Sequence, residues 1–395
     1  MVSLFPKIKT AHAMKTLRPI AAAIVILTMA FVAHSATAAG KSASERFFKD
    51  AQKSGLVLSS ASSLAFGPEG LLLVAEPRTA AIVAIDTGDT GPVKRLAKRL
   101  ENVSALIAAT LSAPVASVQI VDMAVNPASG KVYFSITHGA DKRSAIIVID
   151  ADGKAAAFDT AKLAHVRVPL PAKESGSIRN ISDLAFAGDR VLVTGQSNEE
   201  FSSKIFTLPL PLGHQQSGKV IGAETFHVAH GKWETKAPIT SFFPLEEGGK
   251  HYVVGAFACT PIAKFPVDEI ATGQNVRGTS VVELGGGNRP LDLFTYQRDG
   301  KRWVVVNTLR FQKNLFGPSK YWGVRVSLDY VLRSDAAQVN EKAARRNTAT
   351  KSGPEGIEIL DVLFGAVQVD KLSDSEMVVL RENGDRLDLE LAALP

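Results

Sequence analysis

Four aspartates recur at one position of a repeated phrase: Asp122, Asp183, Asp292 and Asp370, with Ser63 and Ser241 at the same place in two further copies. Oxygen ligands suit hard cations, so a ring of these carboxylates predicts a site for a divalent ion such as Ca²⁺. Without an ion the like charges repel and raise each other's proton affinity. The plainer reading is that each Asp accepts backbone N–H groups from a neighbouring turn. A second set lies in "FHVAHGKWET", where His227 and His230 precede Trp233 and Glu234, with His251 and Cys259 farther along. Imidazole and thiolate take borderline metals. Residues three apart on a strand face opposite sides, so these two histidines meet only in a turn. Their spacing matches no standard zinc or copper pattern, and the segment reads first as a loop on one face of the fold. Asn198, Glu199 and Glu200 in "SNEEF", and Asn288 and Arg289 in "GGGNRPLD", are polar loop groups of the kind that bind ligands. Cys259 lies in the apolar run "AFACTPIAKF" and reads as a buried, inert thiol.

Several chemistries lack their signatures. No G-x-S-x-G is present for a hydrolase nucleophile, and no C-x-x-C-H for covalent haem. The triple glycine at 285–287 lacks the strand and helix context of a nucleotide loop. "FQKNLFGPSKYWGVRV" at 311–326 mixes cations with aromatics and reads as an aromatic loop packed on the core.

The elements that must position these groups come from self-similarity. Phrases beginning at Ser62, Val121, Ser182, Thr240, Leu291 and Val369 share a plan: a small or acidic residue, a short apolar strand, a turn, and a second apolar strand. The turns "GPEG", "NPASG", "AGDR", "EEGG", "QRDG" and "ENGD" carry the Gly, Asn and Asp that tight hairpins need. Antiparallel repeats about 60 residues long predict an all-β fold, a β-propeller of six blades, or seven if the longest interval hides one. Only about three strands fit after Val369. The segment "SGLVLSS" at 54–60 is therefore expected to complete the last blade and close the ring with strands from both ends of the chain. Inserts fall at about 92–117 and 333–354. In the first, Leu100, Val103, Leu106 and Ile107 have helical spacing, which predicts a surface helix on the propeller.

Composition bounds the partners. Lys and Arg number 45 against 39 Asp and Glu, but Lys7, Lys9, Lys15 and Arg18 all precede Ala38. The rest of the chain is nearly neutral, which argues against nucleic acid. Those basic residues, the apolar run from Ile20 to Ala33 and the A-x-A at 36–38 predict a signal peptide over 1–38, a lead-in over 39–53 and a propeller over 54–395. The expected location is periplasmic or secreted, with membrane attachment only through an uncleaved signal segment. A single Cys excludes an internal disulfide.

From these phrases the chain resembles the NHL and YVTN class of extracytoplasmic β-propellers, and a group of uncharacterised exported bacterial propellers with phrases such as "SNEEF", "AHGKWET", "ACTPIAKFP" and "GNRPLD". The resemblance implies the fold and leaves the function open, because one propeller scaffold hosts many activities. The leading expectation is a binding or scaffold module for a protein or small-molecule ligand. Its face would carry Asn198, Glu199, Glu200, His227, His230, Asn288 and Arg289. The alternative is a divalent-metal-dependent hydrolase of the lactonase type, with Asp122, Asp183, Asp292 and Asp370 at the axis. Propeller lactonases hold their metal with Glu, Asn and Asp, and Glu199, Asn126, Asn288 and Asp292 are of those types. A quinone-dependent oxidoreductase ranks last, since no residue marks a cofactor pocket.

Overall fold

The computed structural model describes residues 42–171, 178–216, 218–259, 261–268, 273–311, 317–332, 344–345 and 356–395. The expected signal peptide, most of the insert at 333–354, and Lys313 and Phe316 of the aromatic segment lie outside the described residues.

Six mainly antiparallel sheets form a ring, one for each repeated phrase. Their inner strands are Leu64–Phe66 (blade 1), Val118–Val125 (blade 2), Ile178–Ala187 (blade 3), Ile239–Glu247 (blade 4), Asn288–Arg298 (blade 5) and Ala366–Lys371 (blade 6). The hairpins use the turns read from the sequence. Gly248 and Gly249 link paired Glu247 and Lys250, and Asp299 and Gly300 link paired Arg298 and Lys301. All four turn residues have positive φ, the type I′ geometry whose twist matches the strands.

The order around the ring departs from chain order. Apolar clusters fill the gaps between neighbouring sheets, and each joins a defined pair. Phe134 and Ile147 of blade 2 pack with Val378 and Leu389 of blade 6. Val74 and Ile85 of blade 1 pack with Tyr133 and Ile146 of blade 2. Leu73 and Ile82 of blade 1 pack with Val193 and Phe206 of blade 3. Blades 3 to 6 then follow in sequence. Blade 1 therefore stands between blades 2 and 3, and blade 2 between blades 1 and 6. The chain achieves this by leaving blade 1 after its third strand, Ala81–Asp86, building blade 2, and returning with His165–Pro169 as the fourth strand of blade 1. Alternating Ile82, Ala84, Val166 and Val168, all fully buried, hold the returning strand on that edge.

This order explains why the closing strand expected at 54–60 does not form. That segment is not a strand; its Leu56 is buried between blades 1 and 2. Blade 6 packs against blades 2 and 5 rather than blade 1, and among the described residues it remains three-stranded. Its outer strand, Arg386–Ala393, is instead met by the insert. Leu100 and Leu389 exchange two backbone hydrogen bonds of 2.9 Å. Asp388, shielded from solvent, accepts from Asn102 N at 2.8 Å and from Arg99 Nη2 at 2.6 Å. The expected helix follows at Val103–Thr110, capped by the Asn102 side chain, with Val103 and Ile107 buried against blades 2 and 6. An exposed edge is thus covered by a bridge and charged side chains.

Candidate functional site: the axial channel

The six aligned positions all lie on the axis. In blades 2 to 5 the ladder slips just before or at the acid or serine: between Ile120 and Asp122, around Ser182, between Ile239 and Ser241, and between Pro290 and Leu293. A bulge re-aims the following side chain, and here it sends the polar group inward while apolar neighbours face the gaps between blades.

Each acid reaches the next blade in the ring. Asp122 accepts from Leu64 N at 2.7 Å, Asp183 from Phe242 N and Ser241 Oγ at 2.9 Å, Asp292 from Val369 N at 2.9 Å, and Asp370 from Val125 N at 2.7 Å. Ser63 Oγ donates to Ser182 O at 2.7 Å. These bonds run 2 to 1, 1 to 3, 3 to 4, 5 to 6 and 6 to 2, the same ring order that the apolar clusters give. Axial acids therefore act as struts between inner strands, the backbone-accepting role set against the metal ring above.

Burial within the surrounding protein raises all four carboxyls. Asp292 goes to about 8, chiefly by desolvation, with Asp370 and Asp183 adding repulsion. Asp122 goes well above its ordinary value by desolvation and the charge of Asp292. Asp183 and Asp370 rise to about 6 by desolvation, against the backbone bonds that lower them. Proton uptake and N–H donors thus relieve the axial repulsion. All four aspartates keep partial solvent exposure in the channel, which offsets part of the desolvation.

Asp122 and Asp292 sit at the waist of the channel, since both line the cavities on either side of it. One cavity, 490 Å³, opens where the inner strands begin, here the entry face; it is lined also by Gln119, Arg289, Tyr321, Gln368 and Ser104 of the helix. The other, 480 Å³, opens at the opposite end, beside Pro127, Phe243 and Lys371. Arg289 is exposed and has no hydrogen bond or ion pair among the described residues. Asn307 of blade 5 braces Asp292, its side-chain oxygen accepting from Asp292 N at 2.8 Å. Gln119, Tyr321 and Gln368 were missed in the sequence. Gln119 and Arg289 precede their aspartates by three residues, and the bulges bring pairs at that spacing onto one side, which strict two-residue alternation hides.

The loop candidates share the entry face, by strand register. The turn at 198–202 follows Ser197, which pairs with Ile178 at the start of its inner strand, and the His227 hairpin extends beyond Gly222, which pairs with Lys204. Their roles differ. Asn198 is exposed, Glu199 pairs with Lys204 at 2.7 Å, and Glu200 lies 3.7 Å from Lys236. Asn288 is fully buried and structural, accepting from Trp322 Nε1 at 3.0 Å and donating to Gly285 O at 2.9 Å. Asn126 is bound to Asp89 beyond the far end of its inner strand. Glu199, Asn126, Asn288 and Asp292 therefore do not meet at one point. Among the described residues, the group of His, Cys, Asp or Glu whose ligand atoms lie within 4.8 Å of one another is His227, His230 and Glu234. Burial holds His227 down at about 4.

Three expectations are corrected. Cys259 is in the turn before Pro261–Pro266, with φ of 69° and partial exposure, because its N–H turns back to Asn288 O at 2.9 Å. His251 lies at the opposite face, bound to Asp268 at 2.8 Å. Tyr321–Ser327 is a strand of blade 5 rather than a loop, with Trp322 fully buried and Arg325 stacked 4.2 Å over Trp303.

No family model and no curated protein matches the chain, and the NHL and YVTN resemblance finds no support there. Among solved structures, the chain is similar to the PQQ-bound aldose sugar dehydrogenase of Streptomyces coelicolor (12% identity, 88% of this chain and 97% of that one, TM-score 0.36). It is also similar to an exo-1,5-α-L-arabinanase from a bovine ruminal metagenomic library (11%, 69% and 91%, TM-score 0.37). A third is a putative glucose dehydrogenase of Thermus thermophilus (14%, 87% and 99%, TM-score 0.30). By its own six sheets set around one axis, the chain is a six-bladed β-propeller.

Proposed function

We propose that this propeller is a binding module that admits a small polyhydroxylated carboxylate to the axial cavity at its entry face. The observation that carries the reading is the unpaired Arg289 in the 490 Å³ cavity that ends on Asp122 and Asp292. A guanidinium without a counter-ion is matched by an anion, and its planar fork accepts a carboxylate in a bidentate pair. Gln119 and Gln368 supply amide donors and acceptors beside it. Asp292, protonated below about pH 8, offers a neutral acid that can donate to a hydroxyl without repelling the anion. The lactonase alternative draws support only from the kinds of groups at the axis, whose carboxylates are engaged with backbone.

The test is calorimetric titration of D-gluconate, citrate and succinate into the protein and into Arg289→Ala. Arg289 is exposed and unpaired, so its loss should leave the fold intact. A charge-assisted bond contributes about 1.5–3 kcal/mol, so the variant is expected to bind roughly 10- to 100-fold more weakly. Failure of all three anions to bind, or equal binding by the variant, refutes the reading. We further propose export, resting on the basic and apolar segment before Ala38. Cell fractionation with mass measurement should find a chain lacking 1–38 outside the cytoplasm; a full-length cytoplasmic chain refutes it.

A further inference from the structure

Blade 3 ends in a hairpin whose chemistry is separate from the axial channel. Its fourth strand, Lys219–His227, turns through Val228 to Gly231 and returns as Lys232–Glu234. The turn closes with His230 N and Gly231 N donating to His227 O at 3.1 and 2.8 Å, and Gly231 at φ of 66°. Register then sets Thr225 opposite Glu234 and His227 opposite Lys232. His227 and Glu234 are diagonal neighbours on one side of the ladder, and the turn lays His230 over them, its ring stacked on that of His227 with centroids 5.1 Å apart.

The three side chains converge on one point. His230 Nδ1 is 2.9 Å from Glu234 Oε1, and His227 Nδ1 is 3.4 Å from Glu234 Oε2. His227 is fully buried, yet neither of its ring nitrogens makes a hydrogen bond. A buried imidazole ordinarily has a partner, and its absence is costly. His230 and Glu234 are partly open to solvent at the entry face. Two imidazoles and one carboxylate, with an open side, form the donor set of a three-ligand zinc site that keeps a position for water.

We propose that His227, His230 and Glu234 form a binding site for a borderline divalent cation of the zinc type, completed by water from the entry face. The ligand atoms, all within 4.8 Å of one another, need only a small closure to reach the separations around a tetrahedral ion at about 2.0–2.2 Å. Lys232 Nζ, 3.3 Å from Glu234 Oε1, holds a competing charge on an exposed side chain that can swing away.

The experiment uses the full chain stripped with chelator. Zn²⁺ is titrated by calorimetry, and Co²⁺ is added separately to read the visible absorption of a tetrahedral ion bound by nitrogen and oxygen. One ion per chain is expected. His230→Ala lies in the turn and Glu234→Gln keeps the side-chain volume, so metal-free melting of both should match the parent within a few degrees. Each should bind Zn²⁺ at least on the order of 100-fold more weakly, since loss of even a supporting partner costs 10- to 100-fold. Lys232→Ala should tighten binding severalfold, and His251→Ala should leave it unchanged. No stoichiometric Zn²⁺, or parental affinity in both His230→Ala and Glu234→Gln, overturns the assignment, as does loss of the ion in His251→Ala. Gluconate binding at the axis is measured with and without Zn²⁺ as a separate readout, so failure of one site is distinguishable from failure of the other.

Discussion

Replacing Asp292 by Asn separates the strut from its charge. The Asn side-chain oxygen can still accept from Val369 N, now at 2.9 Å from Asp292, while the group no longer titrates. In the parent, the folded carboxyl binds its proton up to about pH 8, against an ordinary value of 3.8. An acid raised on folding makes the native state hold more protons than the unfolded one, so stability falls as pH rises from about 4 to about 8 and then levels. Each pH unit in that window is worth about 1.4 kcal/mol, which gives an upper limit of about 3.5 kcal/mol between pH 5 and pH 8. Partial solvent exposure of the side chain screens the charge and reduces this to about 2 kcal/mol. An unfolding entropy of about 2 cal/mol/K per residue turns that into a melting shift of about 3 °C for a domain of this length. Scanning calorimetry at pH 5, 6, 7 and 8 should therefore show Asp292→Asn gaining about 3 °C on the parent across the series. A gap that stays constant, or closes, with rising pH refutes the account of the axial acids. Asp292→Ala serves as the contrast: it leaves the Val369 N–H unpaired and should lose about 1–3 kcal/mol at every pH.

Two other outcomes follow from the packing. Asp388, held down at about 2 by its bonds to Asn102 N, Asn383 and Arg99 in spite of partial desolvation, gives stability present above the ordinary carboxyl value and lost as pH falls from about 4 towards 2. Asp388→Ala should cost about 2 kcal/mol at pH 7 by chemical denaturation and, by freeing the edge of blade 6, increase aggregation during refolding; an unchanged midpoint at pH 7 counts against the bridging role of the insert. Gly195 faces the bulge of blade 3, where an added Cβ would press on the Asn180 carbonyl oxygen. Gly195→Ala should lose about 1–3 kcal/mol, read from the urea midpoint, and a neutral result would mean that the inner strand yields there.

The repeated phrases determine much of this protein by themselves. Alternating apolar strands separated by turns such as Gly248-Gly249 and Asp299-Gly300 can bury their side chains only as stacked hairpin sheets, so the six blades and the axial position of Asp122, Asp183, Asp292 and Asp370 are local consequences of pattern and turn chemistry. The helix at 103–110 is local too, read from Val103 and Ile107. What tertiary structure alone decides is who neighbours whom. The return of His165–Pro169 to the edge of blade 1 places blade 2 beside blade 6, and with that it removes the partner that 54–60 would have needed. Sequence distance carries no trace of that choice, because the pairing of Ala81–Asp86 with a strand some eighty residues later depends on shape and burial after blade 2 has formed. The same holds for the site. Bulges, invisible in composition, bring Gln119 and Arg289 to the side of their aspartates, and one turn brings His227, His230 and Glu234 together where strand alternation alone would keep the histidines apart.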